Sequence, residues 1–380
     1  MDIKQKLLDG VNVVEVSQLI AAPLCGLTLA DLGASVTKVE SPHGDYTRTW
    51  AKPGAESAIF HMLNRGKRSV VLDPRLPGHR VHAREMVMQA DVVIENLGDA
   101  MAHTYGVDYA DISDVRPKLI WCSISGLGRG RGGRAIDMTL QASMGMSALT
   151  GEHGRPPLRG AMPFVDIATG MYAAQSVLAA ILELERGGDG TFLDCAMIDA
   201  AATLTAAPAA LALSGYSMPR RMGSESDLFV PSRVFETADG EYVHVVAISP
   251  SHWRAICRAI GHDDWLTDQR FATNQARLEH RDFIHSAIAE AIRGRTASDW
   301  CELIPKEGGF CARVREIEEA WADPLVRGRG RLVDIPGLEF PVPVPSLAHT
   351  DLAAVRGPLL GEHNPALVEP AAEVPSGVYD

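Results

Sequence analysis

Short β-rich runs alternate with helical patterns through the first half of the chain. Hydrophobic positions predict strands at 11–16, 35–40, 69–72, 91–95 and 119–123. Apolar residues at helical spacing predict helices between them, near 24–32, 58–63, 79–89 and 99–115. Repeated strand–helix units form a parallel sheet covered by helices on both faces, so the pattern predicts an α/β, Rossmann-like domain.

The pattern changes after residue 225. Two β-rich runs flank Asp239-Gly240 and predict a hairpin over 234–246. Helical patterns follow at 251–260, 275–293 and 297–304, with a short apolar run near Phe310. A chain of 380 residues exceeds the usual size of one core, and these elements predict a second, smaller α+β domain.

The composition is that of an ordinary globular protein, with 46% hydrophobic and 22% charged residues. The formal net charge of −12 argues against nucleic acid or an anionic membrane as the main partner. The six cysteines lie far apart without a Cys-x-x-Cys pair, which favours a reducing cytoplasm over disulfides or zinc. The most apolar region, 197–213, contains Asp199 and Pro208 and predicts a buried helix rather than a membrane span. No apolar signal-peptide core follows the first residues, so we expect a soluble cytoplasmic protein.

An aspartate precedes a long helical pattern. Asp166 lies in Pro163-Phe-Val-Asp-Ile-Ala-Thr-Gly170, and the apolar residues downstream keep helical spacing until Gly187-Gly188. This arrangement puts the carboxylate at a helix N-terminus, where backbone N–H groups and the macrodipole favour the anion. Asp166 is therefore either a helix cap or an ionised nucleophile that attacks an electrophile.

Several common nucleotide and catalytic motifs are absent from the places where they would act. The first strand–helix junction lacks Gly-x-Gly-x-x-Gly, and no Gly-x-x-x-x-Gly-Lys loop occurs, which disfavours NAD, FAD and ATP chemistry. Neither a Gly-x-Ser-x-Gly elbow nor a His-Glu-x-x-His helix is present. His79 and His82 are three positions apart but have no third ligand, so we expect no metal site.

A glycine- and arginine-rich segment, 125–134, follows the strand predicted at 119–123. Open parallel sheets bind ligands at the carboxyl ends of their strands. The segment is either a mobile surface loop or a polyphosphate site formed with Lys67-Arg68 and Arg75, because guanidinium groups match phosphate geometry.

Taken in order, segments along nearly the whole chain resemble one family. They are Ala22-Pro23, Ala30-Asp-Leu-Gly-Ala-Ser-Val-Thr-Lys-Val-Glu40, Gly44-Asp45, Arg48, Asn64-Arg-Gly-Lys-Arg-Ser69, Leu72-Asp73, 90–96, 117–126, 149–151, 166–170, 192–196, Asp199-Ala200, 271–274, 322–324 and Leu360-Gly-Glu-His363. Together they are similar to the family III CoA-transferases, the superfamily of formyl-CoA transferase, carnitine CoA-transferase and α-methylacyl-CoA racemase.

The resemblance implies that Asp166 is a nucleophile. In similar proteins the matching aspartate attacks an acyl-CoA thioester to give an anhydride, and the CoA thiolate returns to give an aspartyl-CoA thioester. An acceptor carboxylate then reverses these steps and leaves as the new acyl-CoA. The reaction implies acyl-CoA as a substrate, no ATP and no permanently bound cofactor. We expect the helix N-terminus and nearby loop N–H groups to stabilise the oxyanions, and the helix N-terminus to keep Asp166 charged.

The resemblance also implies CoA contacts, position by position. They are Ile20, Ala21, Leu72, Arg75, Asn96, Leu97, Gly98, Arg134 and Asp137. Arg75 and Arg134 stand where relatives often have lysine, which preserves the charge. Leu97 replaces a usual aromatic residue, and the segment 99–104 lacks the arginine of many relatives. We expect acceptor-site residues within 220–227 and 231–233, where a cation could pair with the second carboxylate of a dicarboxylic acid.

The residue before Asp137 helps to separate two reactions. Racemase relatives exchange an α-proton between two bases, one of them a histidine at this position, and Ile136 cannot titrate. CoA transfer is therefore favoured over a 2-methylacyl-CoA racemase. A non-catalytic CoA-binding protein is the third hypothesis, and the intact Asp166 motif argues against it. The glycine loop of formyl-CoA transferases is absent between Gly215 and Pro231, so we do not expect oxalate or formate chemistry.

The resemblance finally implies a domain organisation and an assembly. We expect a large CoA-binding domain of residues 1–210 completed by 325–380, and a small α+β domain at 225–324. Similar proteins form interlocked homodimers of ring-like chains. Beyond this partner and its small-molecule substrates, we expect neither nucleic acid nor membrane as a partner.

Overall fold

The computed structural model describes residues 7–52, 55–98, 100–217, 221–345 and 355–365. The chain forms two compact units. The larger unit comprises Met1–Met144, Gly160–Ala206 and Pro324–Asp380, and the smaller unit comprises Gly145–Arg159 and Ala207–Asp323. The segment Gly145–Arg159 thus leaves the larger unit, a division that the sequence pattern did not indicate.

A six-stranded sheet forms the centre of the larger unit, in the order β3-β2-β1-β4-β5-β6. Its strands are β1 (Asn12–Val16), β2 (Ser35–Glu40), β3 (Arg68–Val71), β4 (Val92–Glu95), β5 (Ile120–Ser125) and β6 (Phe192–Ala196). All neighbouring strands are parallel, which confirms the predicted α/β class and Rossmann-like sheet. The sequence analysis missed β6, because this half-buried edge strand carries exposed Asp194 at its centre and lacks a continuous apolar run.

The α-helices are numbered along the chain. They are α1 (Ala21–Asp31), α2 (Ala58–Asn64), α3 (Pro77–Gln89), α4 (Ala100–Tyr105), α5 (Tyr109–Ile112), α6 (Asp137–Ser143), α7 (Met146–Leu149), α8 (Phe164–Glu185), α9 (Met197–Leu204), α10 (Ala206–Leu213), α11 (Pro250–Ile260), α12 (Asn274–Glu279), α13 (Arg281–Ile292), α14 (Ala297–Lys306), α15 (Ile317–Ala322) and α16 (Pro324–Gly328). The helix predicted at 99–115 is divided into α4 and α5, because Gly106 has φ of 70° and Asp108 caps the next turn. The helix predicted at 275–293 is divided into α12 and α13 at His280.

Alternate residues of the central strands point to opposite faces of the sheet. On one face, Val13 and Ile94 pack with Ala173 and Val177 of α8. On the other face, Val14, Val93 and Trp121 pack with helices that include α3 and α4. The two apolar clusters explain why β4 and β5 read as nearly continuous hydrophobic runs in the sequence.

α8 is the helix that carries Asp166. By length and composition it is long and apolar enough to cross a membrane, with mean hydropathy of 1.4, but it packs against α1, β5 and β6 as a core helix does. The prediction of one buried helix at 197–213 is wrong. α9 ends at Leu204, and no residue of α10 is buried, because an apolar composition buries a helix only where it has a packing partner.

An antiparallel sheet of β7 (Ser232–Glu236), β8 (Tyr242–Val246) and β9 (Phe310–Arg313) forms part of the smaller unit. β7 and β8 are the predicted hairpin, and Gly240 supplies the positive φ of its turn. Buried side chains of α11, α13 and α14 pack with the sheet in a separate core. The smaller unit is therefore an α+β structure, as expected.

The C-terminal part of the chain belongs to the larger unit. β10 (Leu332–Val333) and β11 (Val342–Pro343) form a short antiparallel pair. Near the edge strand β3, Val71 donates its N–H to Asn364 Oδ1 (2.8 Å), and His363 donates its N–H to the Ser69 carbonyl (2.9 Å). The segments 346–354 and 366–380 of the expected C-terminal contribution lie outside the described residues.

Candidate functional site

Asp166 is the third residue of α8 and is half-buried. The helix begins at Phe164, and the N-cap position belongs to Pro163. The prediction that Asp166 is the helix cap is therefore wrong, because the two residues before it are already helical. The aspartate lies within the first turn instead, with its side chain beside the start of another helix.

Asp137, the first residue of α6, caps α8 from outside. Its Oδ2 accepts the N–H of Val165 at 2.8 Å and the N–H of Asp166 at 3.3 Å. Its Oδ1 accepts a hydrogen bond from Gln141 Nε2 at 2.6 Å. The Asp137 side chain is buried, so this carboxylate holds the Asp166 turn in place by charge-assisted hydrogen bonds.

The first turn of α8 has no free N–H group for a reacting oxygen. Besides the two bonds to Asp137, Phe164 donates to the Met162 carbonyl at 2.9 Å and Ile167 donates to the Pro163 carbonyl at 3.0 Å. These helical N–H groups already have partners, so the expected oxyanion donors are narrowed to the nearby loop N–H groups, which stay a prediction. The helical N–H groups fix the position of Asp166.

The electrostatic environment raises the pKa of Asp166 from 3.8 to about 7. Burial is the larger cause, and the negative charge of Asp137 is the second. Burial and Asp137 thus act against the expected stabilisation of the charged carboxylate by the helix N-terminus. The group is instead more basic than an ordinary aspartate, and perturbed carboxylates of this kind are typical of functional sites.

Gly170 brings α8 into close contact with the start of α1. A Cβ at this position would lie 2.6 Å from the Ala21 carbonyl oxygen and 2.9 Å from Leu24 Cβ, so only glycine fits. Ile20 and Ala21, two predicted CoA contacts, therefore lie at the crossing of α1 with α8, one helical turn from Asp166.

Three of the remaining predicted contacts, Asn96, Leu97 and Gly98, follow the carboxyl end of β4, beside that of β1. The strand order reverses between these two strands, the position at which open α/β sheets bind ligands. Asn96 joins the two loops there: its Nδ2 donates to the Gln18 carbonyl at 2.8 Å, and its Oδ1 accepts the Gln18 N–H at 3.2 Å. Leu97 and Gly98 both donate their N–H groups to Glu95 Oε2, at 2.8 and 2.7 Å.

A cavity of about 150 Å³ opens at this end of the sheet. Among the predicted residues, Leu97 lines it directly. The sequence analysis missed its other walls, which include Gln18, Glu40, Asp45, Thr104 and Tyr105. They come from the loop after β1, the end of β2, the loop that follows β2, and α4, which the strand order brings to one cavity. Asp99, in the segment with the missing arginine, and Arg220, in the first expected acceptor segment, lie outside the described residues.

Leu72, Arg75 and Arg134 occupy different environments. Leu72 is fully buried in the sheet, whereas Arg75 is exposed and pairs with Asp73 at 2.7 Å. Arg134 is exposed in the glycine-rich loop. Lys67 is buried and donates to Glu15 Oε2 at 2.7 Å, so its expected role in a polyphosphate site is wrong.

Buried charges support the loop after β1, a feature that the sequence analysis also missed. Lys38 Nζ lies 2.9 Å from both Glu15 Oε1 and Asp45 Oδ2 and donates to the Ser17 carbonyl at 2.9 Å. Asp45 Oδ1 accepts the N–H of Leu19, which has φ of 70°. Charged residues at inward positions of two buried strands were the signal that could have revealed this network.

Among the described residues, no group of three or more His, Cys, Asp or Glu side chains could hold a metal ion. His79 is buried, and its Nδ1 accepts the N–H of Asp73 at 2.8 Å. His82 lies 3.4 Å from Glu85 at the surface. The two histidines therefore have separate structural surroundings.

The chain matches the CoA-transferase family III model over residues 8–364. It is 34% identical to a succinate–glutarate CoA-transferase of Agrobacterium fabrum, over 94% of this chain and 93% of that one. It is 30% identical to a succinyl-CoA:mesaconate CoA-transferase of Haloarcula hispanica, over 96% of each chain. The crystal structure of a CAIB/BAIF family protein from Brucella suis superposes with a TM-score of 0.82 and 33% identity, covering 93% of this chain and 96% of that one.

The family match covers both the Asp166 motif and the cavity at the switch point of the sheet. This chain shares the family's sequence pattern and has CoA-transferases among its relatives. It is therefore an enzyme that moves CoA from an acyl-CoA to a carboxylic acid. The prediction that this chain transfers CoA rather than racemises an acyl-CoA is confirmed by the family and by these relatives. The chain belongs to the family III CoA-transferases.

Proposed function

We propose that Asp166 is the nucleophile of this CoA-transferase. Its carboxylate attacks the thioester carbonyl, a C–O bond forms, the C–S bond breaks, and CoA leaves as the thiolate. The thiolate attacks the aspartyl carbonyl of the anhydride and releases the donor acid. The acceptor carboxylate then attacks the aspartyl-CoA thioester, and the released thiolate takes the acceptor acyl group and regenerates Asp166.

The observation that carries this proposal is the position of Asp166 in the first turn of α8, where Asp137 fixes the backbone and where burial and Asp137 raise the pKa of Asp166 to about 7. A more basic carboxylate donates its electron pair more readily, and about half of the molecules remain ionised near neutral pH. Asp137 acts as a positioning residue, because its Oδ2 accepts the N–H groups of both Val165 and Asp166.

CoA is proposed to bind across the carboxyl ends of β1 and β4. The cavity beside Leu97 takes part of the nucleotide, and Ile20, Ala21, Asn96 and Gly98 form the path from that cavity towards the α1–α8 crossing. The exposed guanidinium groups of Arg75 and Arg134 pair with phosphates. Leu72 packs beneath these loops, and Asp137 acts through the Asp166 turn.

Dicarboxylic acids are the proposed acyl donors and acceptors. The Agrobacterium relative is named for succinate and glutarate, and the Haloarcula relative for succinyl-CoA and mesaconate. These acids carry a second carboxylate that needs a cationic partner in the enzyme. We place the reaction in the cytoplasm, with CoA as a substrate and no permanently bound cofactor.

The proposed assembly is an interlocked homodimer. Its support is the open face of α8, which exposes the large apolar side chains of Ile167, Met171 and Leu182. Apolar patches of this kind on a helix that also carries the site are typical of interfaces.

A mass-spectrometric screen tests the nucleophile. Purified protein is incubated with succinyl-CoA and other acyl-CoAs and a panel of carboxylic acids, and peptides are searched for CoA on Asp166. We expect the adduct in the unaltered enzyme and neither adduct nor turnover in Asp166→Asn. Asp199→Asn is the matched control, since Asp199 is also the third residue of its helix. Full turnover by Asp166→Asn would disprove the assignment.

A further inference from the structure

Leu19 has an unusual backbone conformation in the turn between β1 and α1. β1 ends at Val16 and α1 begins at Ala21, so four residues connect the two elements. Leu19 has φ of 70°, and Arg221 is the only other non-glycine residue with positive φ in the described part of the chain. Leucine rarely adopts this left-handed conformation, so the surrounding structure must hold it there.

The Asp45 side chain holds Leu19 from the loop that follows β2. Its Oδ1 accepts the N–H of Leu19 at 3.2 Å, the N–H of Thr47 at 2.9 Å and the Thr47 hydroxyl at 2.8 Å. Asp45 is 1% exposed. An N–H group without an acceptor is costly in such a place, so this bond favours the conformation in which the Leu19 N–H reaches Asp45.

Lys38 orients the Asp45 carboxylate. The ammonium group lies 2.9 Å from Asp45 Oδ2 and 2.9 Å from Glu15 Oε1, and all three side chains are fully buried. Lys38 also donates to the Ser17 carbonyl at 2.9 Å. Burial lowers the pKa of Lys38, but the surrounding carboxylates, first Glu15 and then Asp45, outweigh it and raise that pKa above its usual value. The group therefore stays charged.

A second lysine holds the far end of the same segment. Lys67 donates to Glu15 Oε2 at 2.7 Å and to the Pro23 carbonyl, in the first turn of α1, at 2.8 Å. The two oxygens of Glu15 thus anchor two lysines, which bind the chain at Ser17 and at Pro23. With both ends fixed, the conformation of Leu19 determines the path of the residues between them.

That path leads from the cavity to the crossing of α1 with α8. Gln18 and Asp45 line the cavity. Ile20 and Ala21, which follow Leu19, are proposed CoA contacts at the crossing. A change of φ at Leu19 would move these contacts relative to the cavity, because the atoms that follow rotate about its N–Cα bond.

We propose that Asp45 is a positioning residue for CoA, because it holds Leu19 in the left-handed conformation and thereby directs the Ile20–Ala21 segment towards the α1–α8 crossing. Lys38 keeps the Asp45 carboxylate in the required orientation. This assignment rests on the proposed CoA site, and it gives the buried charges that the sequence analysis missed a role in binding.

A double-mutant cycle between positions 45 and 19 tests this role. Calorimetric titration with coenzyme A measures the dissociation constant for the unaltered protein, Asp45→Ala, Leu19→Gly and the double variant. Asp45→Ala should raise this constant about 5- to 10-fold, because Leu19 loses the acceptor that holds it. Glycine adopts positive φ without such help. In the Leu19→Gly background, the same replacement should therefore raise the constant by less than about 2-fold.

Asp91→Ala is the matched control. Asp91 Oδ2 accepts the N–H of Asn12 at 2.9 Å, at the end of β1 opposite the loop. Its replacement should leave the dissociation constant of CoA unchanged. Equal factors for Asp45→Ala in both backgrounds would overturn the positioning role, since a direct contact with CoA or a general loss of stability does not depend on the residue at position 19.

Replacements at position 19 alone keep the test valid if Asp45→Ala does not fold. Isoleucine has the volume of leucine, but its β-branched side chain disfavours positive φ, whereas asparagine adopts positive φ more readily. Leu19→Ile should therefore weaken CoA binding more than Leu19→Asn does. The reverse order would overturn the proposal, because the affinity would then follow the apolar side chain and not the backbone conformation.

The outcomes separate this role from the proposed function. A CoA adduct on Asp166 together with equal factors in the cycle would remove the positioning role and leave the nucleophile. A cycle in which Leu19→Gly suppresses the effect of Asp45→Ala, without an adduct from any acyl-CoA, would support the positioning role and overturn the nucleophile.

Discussion

At the scale of single residues, the site depends on two carboxylates with different tasks. Asp137 is buried, and both of its carboxylate oxygens accept hydrogen bonds. Asp166 is half-buried, and burial and the charge of Asp137 raise its pKa. When the environments of two neighbouring carboxylates differ in this way, the two groups commonly take different roles in the reaction. The pair should therefore determine the pH dependence of CoA transfer.

We expect kcat/KM to rise with pH through an acidic limb near pH 7. Asp166 attacks only when deprotonated, so the rate falls as pH drops through its pKa of about 7 and is constant above it. Asp137→Asn removes the neighbouring negative charge and should move this limb to lower pH, while its amide oxygen still caps α8.

Steady-state kinetics at fixed ionic strength measure the acidic limb of the unaltered enzyme and that of Asp137→Asn. Asp199→Asn serves as the control and should keep the limb near pH 7. A limb near pH 4 in the unaltered enzyme, or an Asp137→Asn profile that coincides with it, would contradict the assigned environment of Asp166.

At the scale of elements, the crossing of α8 and α1 positions the site. The two helices approach so closely at Gly170 that the turn of Asp166, the proposed nucleophile, and the Ile20–Ala21 segment become neighbours. Sequence reasoning found Gly170 within the Asp166 motif but gave no reason for it. The reason is a contact with a residue about 150 positions earlier in the chain.

Gly170→Ala should lower the free energy of unfolding by roughly 1–3 kcal/mol, because the added Cβ overpacks the crossing. Alanine is otherwise the better helix former by about 1 kcal/mol, so packing and helix propensity predict opposite signs. Urea unfolding measures the difference. Gly78→Ala in α3, where a Cβ meets nothing within 4 Å, is the control and should not destabilise the protein.

At the scale of the whole molecule, the proposed homodimer should depend on the open face of α8. Met171 is 52% exposed on this helix, and a charge there would be buried without a partner at an interface. We expect the unaltered protein to sediment as a dimer, and we expect Met171→Glu to impair assembly, so that the freshly produced variant contains more monomer.

Val81→Glu is the control for this experiment. Val81 is 58% exposed on α3, and its replacement should leave the sedimentation coefficient unchanged. A monodisperse monomer of the unaltered protein would contradict the dimer. A Met171→Glu protein that remains fully dimeric would show that this face of α8 is not required for the dimer.

The sequence by itself determined the fold class, most strands and helices of the larger unit, the hairpin and the family. Hydrophobic periodicity is a local property, and it records which face of a strand or helix is buried. The Asp166 motif could also be found in the sequence, because it is contiguous, and the role of Asp166 as nucleophile stays a prediction. The predicted helix bounds were wrong where a single residue interrupts a helix, as at Gly106 and His280.

Only the tertiary structure decided what surrounds those residues. Asp137 caps the Asp166 turn from 28 positions away, and Asp45 binds Leu19 from the loop that follows β2. The pKa of Asp166, the walls of the cavity and the buried charges around Lys38 all depend on distances between remote segments. Burial and charge act through space, so no local pattern of residues contains them.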